Sequence, residues 1–405
     1  MPEKTIINPV NIPGSKISAL LSFFNETKRL LYHQGERYDH PDIGAFSFTD
    51  SIIAWSTNAK SSHAMHFEVF DATHRLARGG QATVYKSKGT LSIGEDDVSF
   101  SQRTPRVIKV GHESHFSQVE RELHQLEASF NCLPLTIVGG TAYFIMEKVP
   151  GVTLDQILNN NVLSIEQRFM LAIEIIDAVG RIAKNHIHHC DIKPQNIMVY
   201  FAGKIPHVCI IDFGLAKFAK RPSSDVREVE CFEGTVAFAA PERYKNISTN
   251  NSDAYSVAMV LALIFGAVLK KGQRGWGVFL QGLKYAEKMD YTETLFVAGL
   301  PQTALTRLES IFTQMSFINP TLRMNLTVAR HELIEVGLSL EAGLHTTKTS
   351  LKTTSRSRAD SCWVRQNDDR KVPRQSSSLF SLYSEEEPPS PEAHTEFPAI
   401  KTTSP

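Results

Sequence analysis

Two polar clusters at a fixed separation constrain this chain more than any other feature of its 405 residues. The first is His189-Cys190-Asp191-Ile192-Lys193-Pro194-Gln195-Asn196; the second, about twenty residues on, is Asp212-Phe213-Gly214. Asn196 runs directly into Ile197-Met198-Val199, and Asp212 follows Val208-Cys209-Ile210-Ile211. Short apolar runs bounded by polar loops read as buried strands. Such strands hold Asp191, Asn196 and Asp212 on a rigid base, in places where polar side chains are hard to explain as packing.

A chain that is 42% hydrophobic and 21% charged is of ordinary globular composition and long enough to bury one large core or two. Lys+Arg and Asp+Glu both number 43, so no general attraction to nucleic acid or to an anionic membrane is implied. The five cysteines, Cys132, Cys190, Cys209, Cys231 and Cys362, are scattered without zinc-ligand spacing, which fits a reducing, cytoplasmic setting. Met1-Pro2-Glu3-Lys4 lacks the basic-then-apolar pattern of a secretory signal. The longest apolar run, 257–269, is too short to span a bilayer and predicts a buried core helix, so no transmembrane segment is expected.

Four segments emerge from local patterning. Residues 1–65 carry one helical candidate after Pro13-Gly14-Ser15, with Ile17, Leu20, Leu21, Phe24 and Leu31 at helical spacing. It predicts an N-terminal extension whose helix docks on the adjoining domain. Strand patterns at Phe67-Glu68-Val69-Phe70, Thr83-Val84-Tyr85, Arg106-Val107-Ile108-Lys109-Val110 and Tyr143-Phe144-Ile145-Met146 make residues 66–146 β-rich. One helix is expected near 117–130, and the stretch 89–105 reads as a solvated hairpin excursion. Helical periodicity dominates from Ser164 to about Leu340. From 341 to 405 the composition turns to Ser, Thr, Pro and charge, which predicts a disordered tail.

Several motifs surround the two clusters. Leu76-Ala77-Arg78-Gly79-Gly80-Gln81-Ala82-Thr83-Val84 places small residues at a hairpin tip, where backbone N–H groups could approach phosphates. Alone, such a hairpin is more often a tight turn. Lys109 lies among apolar neighbours and needs an anionic partner; Glu122 is preferred over Glu120 because Leu123 and Leu126 then fall on the inward face. Asp191 is placed to accept a proton from a hydroxyl, Asn196 and Asp212 to hold Mg²⁺, and Lys193 to neutralise a moving phosphoryl group. Thr235, in Gly234-Thr235-Val236, can reach Asp191 and Lys193. A buried Glu242 needs a cation, for which Arg323 is the candidate.

Taken together, residues 66–340 resemble a eukaryotic-type protein kinase. The resemblance implies an α+β bilobal fold with a small β-rich N-lobe (66–146) and a larger helical C-lobe (150–340). It implies ATP and Mg²⁺ as cofactors and a protein substrate whose identity is not readable. Leu76, Ala77, Gly79 and Val84 would then cover the nucleotide, and Lys109 would bind its α- and β-phosphates. Glu147-Lys148-Val149 would offer backbone groups to adenine, with Met146 as gatekeeper and Val84, Val107 and Met198 around the ring. Leu126, His189 and Phe213 match the stacked spine of an assembled site, and Asp253 matches the aspartate that braces the catalytic loop. Lys193, two residues after Asp191, resembles serine/threonine kinases rather than tyrosine kinases.

The departures carry expectations of their own. Ala77 and Ala82 stand where glycines are usual, which stiffens the hairpin, and Val107 where alanine is usual, which tightens the adenine slot. These changes leave a nucleotide-binding pseudokinase as the other reading. Cys190 stands where many kinases carry arginine; without that buried guanidinium no activation-loop phosphate is needed to neutralise it, so activity without phosphorylation of Ser223 or Ser224 is expected. The degenerate N-lobe motifs and Ser/Thr-rich tail resemble eukaryotic-like kinases that intracellular bacteria inject into host cells.

Overall fold

The protein, seen in a computed structural model, is described over residues 5–55, 65–79, 82–94, 97–102, 104–123, 132–160, 163–219, 227–228, 234–235, 237–245, 247–249, 251–267, 271–272, 275–276, 295 and 297–354. Expectations that fall on Leu126, Ser223, Ser224 and residues 355–405 lie outside these.

The first 55 residues hold more than the single helix expected of them. They form β1 (Thr5–Ile7), α1 (Ile17–Thr27), β2 (Leu31–Tyr32), β3 (Tyr38–His40), β4 (Gly44–Phe48) and β5 (Ser51–Trp55). Helix α1 buries Leu20, Leu21, Phe23 and Phe24 and stops at Lys28, whose left-handed backbone (φ 46°) lets its N–H cap the Phe24 carbonyl. Leu31, expected on that helix, therefore lies in β2 instead.

Next come β6 (Met65–Arg78), β7 (Ala82–Ile93), β8 (Val98–Ser101), β9 (Arg106–His112), α2 (Gln118–Glu122), β10 (Thr136–Val138) and β11 (Thr141–Glu147). They build one sheet in the order β10-β11-β9-β7-β6-β5-β2, with β8 paired to β7; β1, β4 and β3 form a separate small sheet. The expected solvated excursion at 89–105 thus contains a paired strand, β8, whose Val98 and Phe100 pack against the N-terminal core. In that core Phe23, Phe24, Tyr32, Tyr38, Phe46 and Phe48 meet Phe67 and Val69 of β6 and Leu91 and Ile93 of β7. Each such burial contributes about 1.5–3 kcal/mol, so α1 is fastened to the far ends of the two longest strands. The near ends of the same strands form the hairpin over the cleft.

Alternation along β9 sorts its residues: Ile108 is fully buried against Tyr143 and Ile145, while Val107 and Lys109 point to the opposite face. The pairings Val84 with Lys109 and Lys86 with Val107 put Val84 on that same face.

The second half is helical. It comprises β12 (Val152–Thr153), α3 (Leu154–Asn160), α4 (Ile165–Lys184), β13 (Ile187–His188), β14 (Ile197–Ala202), β15 (Ile205–Ile210), β16 (Lys217–Phe218), α5 (Ser252–Ile264), α6 (Gln302–Met315) and α7 (Leu326–Thr354). Helix α4 starts on a reciprocal Ser164/Gln167 capping box and buries ten apolar side chains. Helix α5, built from the apolar run, is buried over nearly its whole length, as a core helix should be. Among the described residues no helix is long and apolar enough to cross a membrane. Helix α7, tied to α4 by Arg330–Asp177 (2.8 Å), continues to Thr354, past the point at which a disordered tail was expected. Once a helix is nucleated and docked, each added residue gains a hydrogen bond without a new nucleation cost.

Candidate active site

The hairpin of β14 and β15 brings the two polar clusters together. Its register pairs Ile197 with Ile210, and the Ile211 N–H donates to the Asn196 carbonyl (2.9 Å), so Asn196 and Asp212 emerge side by side at its open end. The pairing of β13 with β16 sets Ile187 and His188, just before His189, next to Lys217 and Phe218, after Gly214.

The loop before β14 is braced from α5. Asp253 accepts the His189 N–H at 2.7 Å and the Cys190 N–H at 3.0 Å, the role expected of it. Cys190 has φ +66°, a strained conformation for a residue with a side chain, and those two bonds hold it there. The fully buried His189 ring bonds the Ile211 carbonyl (3.1 Å) and packs on Phe213 with centroids 5.0 Å apart. Burial pushes the His189 pKa below its ordinary value of 6.5 against the pull of nearby Asp253, which keeps the ring neutral.

Asp191 is held at every oxygen. Oδ1 accepts from the Thr235 N–H (3.0 Å) and hydroxyl (2.8 Å); Oδ2 accepts from Lys193 Nζ (2.6 Å) and Asn196 Nδ2 (3.1 Å). Lys193 Nζ also donates to Thr235 Oγ1 (2.9 Å), so the three residues expected to meet do so. Asn196 Nδ2 gives a second bond to the Asp191 carbonyl (2.9 Å), which turns its Oδ1 away from the loop.

Lys109 reaches across the cleft. Its Nζ lies 2.7 Å from Glu120 Oε1 and 2.7 Å from Asp212 Oδ1, and it sits 5.4 Å from the Phe116 ring centroid. Burial alone would lower its pKa, but the charges of Glu120 and Asp212 outweigh burial and raise it. For Asp212, burial would raise the pKa, and the charge and hydrogen bond of Lys109 prevail and lower it. Both groups are therefore ionised at neutral pH. Gly214 lies beneath them: a Cβ there would come within 3.3 Å of Asp212 Oδ1 and 3.5 Å of Lys109 Nζ.

The expected partner Glu122 is a correction. Ser117 caps α2 and makes Glu120 its third residue, turned inward and 1% exposed; Glu122, two residues on, lies about 200° around the helix and accepts from Gln118 (2.8 Å). The readable signal was the capping box Ser117-Gln118-Val119-Glu120. One Glu120 oxygen returns to the Ser117 N–H (3.3 Å) and the other takes Lys109.

Two strand ends and a turn make the cleft roof. Leu76 and Ala77 lie just before the end of β6, Ala77 is paired with Val84, and Leu76 is half exposed. The Gly79 N–H closes the hairpin on the Ala82 carbonyl (2.9 Å), and a Cβ at Gly79 would meet only ordinary contact there. Val107 pairs with Met146 at the back. Glu147 ends β11, and the Lys148 N–H donates to the Pro105 carbonyl (2.8 Å). A peptide's N–H and C=O point oppositely, so the Glu147 carbonyl and, in extended chain, the Val149 N–H face away from Pro105.

The donors suit a hard cation. Asn196 Oδ1 and Asp212 offer oxygens, and no described cluster of three or more His, Cys, Asp or Glu side chains could enclose a metal by itself. A divalent ion here would complete its shell from phosphate and water, which is the habit of Mg²⁺.

Away from the cleft, Glu242 and Arg323 form the expected pair: two N–H···O contacts of 2.5 Å, both residues buried, with Ser252 donating to the same carboxylate (2.7 Å).

A family model described as protein kinase domain matches residues 123–332. The match starts after Lys109 and Glu120, so those two are assigned by geometry. A probable serine/threonine-protein kinase PknB of Lactococcus lactis is 28% identical over 196 residues, 46% of this chain and 30% of that protein. A probable serine/threonine-protein kinase pknA2 of Bifidobacterium longum is 30% identical over 195 residues, 46% of this chain and 25% of that protein. Serine/threonine-protein kinase PrkC of Bacillus subtilis is 29% identical over 145 residues, 35% and 22% of the two chains. The chain thus spans about a third or less of the length of these relatives.

Proposed function

We propose, from the premise that this chain belongs to the protein kinase family, that it transfers the γ-phosphoryl group of ATP to serine and threonine hydroxyls of protein substrates. The observation that carries this is the Lys109 bridge between Glu120 and Asp212 (2.7 Å to each), formed beside an Asp191 that is already oriented. Catalysis of this transfer is mostly positioning and charge neutralisation, and each part has a residue. Lys109 would hold the α- and β-phosphates; Asn196 and Asp212 would hold Mg²⁺ against the triphosphate. Asp191 would orient the substrate hydroxyl and take its proton, and Lys193 would offset charge on the moving phosphoryl group. Val84, Val107 and Met198 would sandwich adenine, Leu76, Ala77 and Gly79 would cover the nucleotide, and Glu147 and Val149 would meet the adenine edge with backbone groups.

Bilobal architecture accompanies this reading, with nucleotide between the β-rich and helical parts. Lys193 supports serine and threonine as targets. Phosphopeptide mass spectrometry after incubation with Mg-ATP and mixed acceptors tests it: phosphate on Ser or Thr is expected. A nucleotidyl adduct, or phosphate on Tyr alone, would overturn it.

Cys190 supports activity that needs no loop phosphate. It is buried, and its thiol points to the His188 carbonyl (3.6 Å), so no buried guanidinium stands beside Asp191 there. The double variant Ser223→Ala/Ser224→Ala should keep its activity; abolished transfer would count against this.

A further inference from the structure

Ser117 does more than begin α2. Its hydroxyl accepts the Glu120 N–H (3.1 Å) and donates its single proton to the Phe213 carbonyl (2.7 Å), 96 residues away. Glu120 grips Lys109, and Phe213 follows Asp212, the other anion on Lys109. One hydroxyl therefore ties the helix that carries the acidic partner to the turn that carries the metal-binding carboxylate. The Phe213 carbonyl also takes the Ala216 N–H (2.9 Å), which closes the turn after Gly214. Beside this bridge is a cavity of about 260 Å³ lined by Ser114, Ser117, Gln118, Gly214 and Lys217, into which the turn could shift if released.

We propose that Ser117 is a positioning residue for the phosphoryl-transfer site, a latch that keeps α2 against the Asp212–Gly214 turn so that Glu120 and Asp212 meet Lys109 together. The hydrogen-bond count fits: serine has one proton to give and lone pairs to receive, and both are used. A cap alone would need only the acceptor. The proposal rests on the kinase reading for its kinetic consequence and on geometry alone for its structural one.

The test separates capping from latching. Glycine at an N-cap starts a helix nearly as well as serine but has no hydroxyl; aspartate is a strong cap with no proton to give at neutral pH; threonine keeps both functions. Ser117→Gly should lower kcat about five- to tenfold, the effect of one ordinary hydrogen bond, and raise KM for ATP several-fold. Ser117→Thr should stay within about twofold of wild type. Hydrogen exchange read by mass spectrometry over residues 213–218 should quicken about tenfold in Ser117→Gly and in Ser117→Asp, and not in Ser117→Thr. Unchanged exchange in the Gly and Asp variants overturns the latch, whatever the transfer assay gives. Exchange is read on the protein alone, without any phosphoryl transfer, so a failure of the kinase reading is told apart from a failure of the latch.

Discussion

Lys109 carries one positive charge between two carboxylates, and the geometry says which acid matters. Replacing Glu120 by glutamine removes a charge-assisted hydrogen bond worth about 1.5–3 kcal/mol, so kcat/KM for ATP should fall roughly ten- to a hundredfold in steady-state assays. Glu122→Gln should change it by less than about twofold, since Glu122 meets Gln118 on the outer side. The reverse ranking would restore Glu122 as the partner. His189 predicts a pH effect: its buried ring stays neutral, with a pKa pushed below 6.5. The unfolded chain takes up a proton there that the folded chain refuses, so this contribution is complete above about pH 6.5 and is lost as pH falls through the lower, folded value. Urea midpoints at about pH 5.5 and 7.5 should differ less in His189→Phe than in wild type. A steeper dependence in the variant would contradict the assignment.

Among elements, α1 should matter to stability though it is far from the cleft. Phe24 is fully buried among Phe23, Tyr32, Phe48 and Phe67, so Phe24→Ala should cost about 3–5 kcal/mol in denaturant unfolding. A loss below about 1 kcal/mol would mean the N-terminal core is dispensable. Gly151 shows a tight backbone approach: with φ +90°, a Cβ would lie 2.1 Å from the Val199 carbonyl. Gly151→Ala should push β12 off β14 and destabilise by about 1–4 kcal/mol, read the same way. What the sequence disclosed about elements depended on their length. Helices α1 and α5 announce themselves because their apolar residues recur within the element. Strands β2 to β5, two to five residues long, do not, because what makes Tyr38 or Phe46 a strand residue is a partner elsewhere in the chain. The Glu122 error is one of phase: Leu123 is buried as expected, but the residues three and four positions before it, Glu120 and Val119, share its face, as the Ser117 cap also indicates.

Across the whole molecule, the candidate site draws on distant parts of the chain: Lys109 from the sheet, Glu120 from α2, Asp191 and Asn196 from the loop before β14, and Asp212 from its partner strand's end. Most of these were legible because their chemistry fixes both residue type and spacing, and because each interrupts an apolar run. The long-range braces were legible for a related reason: a buried Glu242 demands a guanidinium, and Arg323 supplies it. The Ser117–Phe213 link was not, since nothing local marks a helix cap as a donor to a turn 96 residues on. Arg323→Ala strands Glu242 without its cation and should cost about 3–5 kcal/mol of stability by denaturant unfolding, whereas breaking an exposed pair such as Arg307–Glu332 should cost under about 1 kcal/mol. Equal costs would contradict the buried-pair account. The central claim is that these parts form one phosphoryl-transfer centre, and it is tested most directly by transfer of labelled γ-phosphate from Mg-ATP to a generic serine/threonine acceptor. Wild type, Lys109→Ala and Asp191→Asn are compared, with ATP affinity measured alongside. The account predicts transfer by wild type and losses of about a hundredfold or more in both variants, with ATP affinity kept in Asp191→Asn. Wild-type protein that binds ATP yet transfers nothing, or an Asp191→Asn variant as active as wild type, would contradict it.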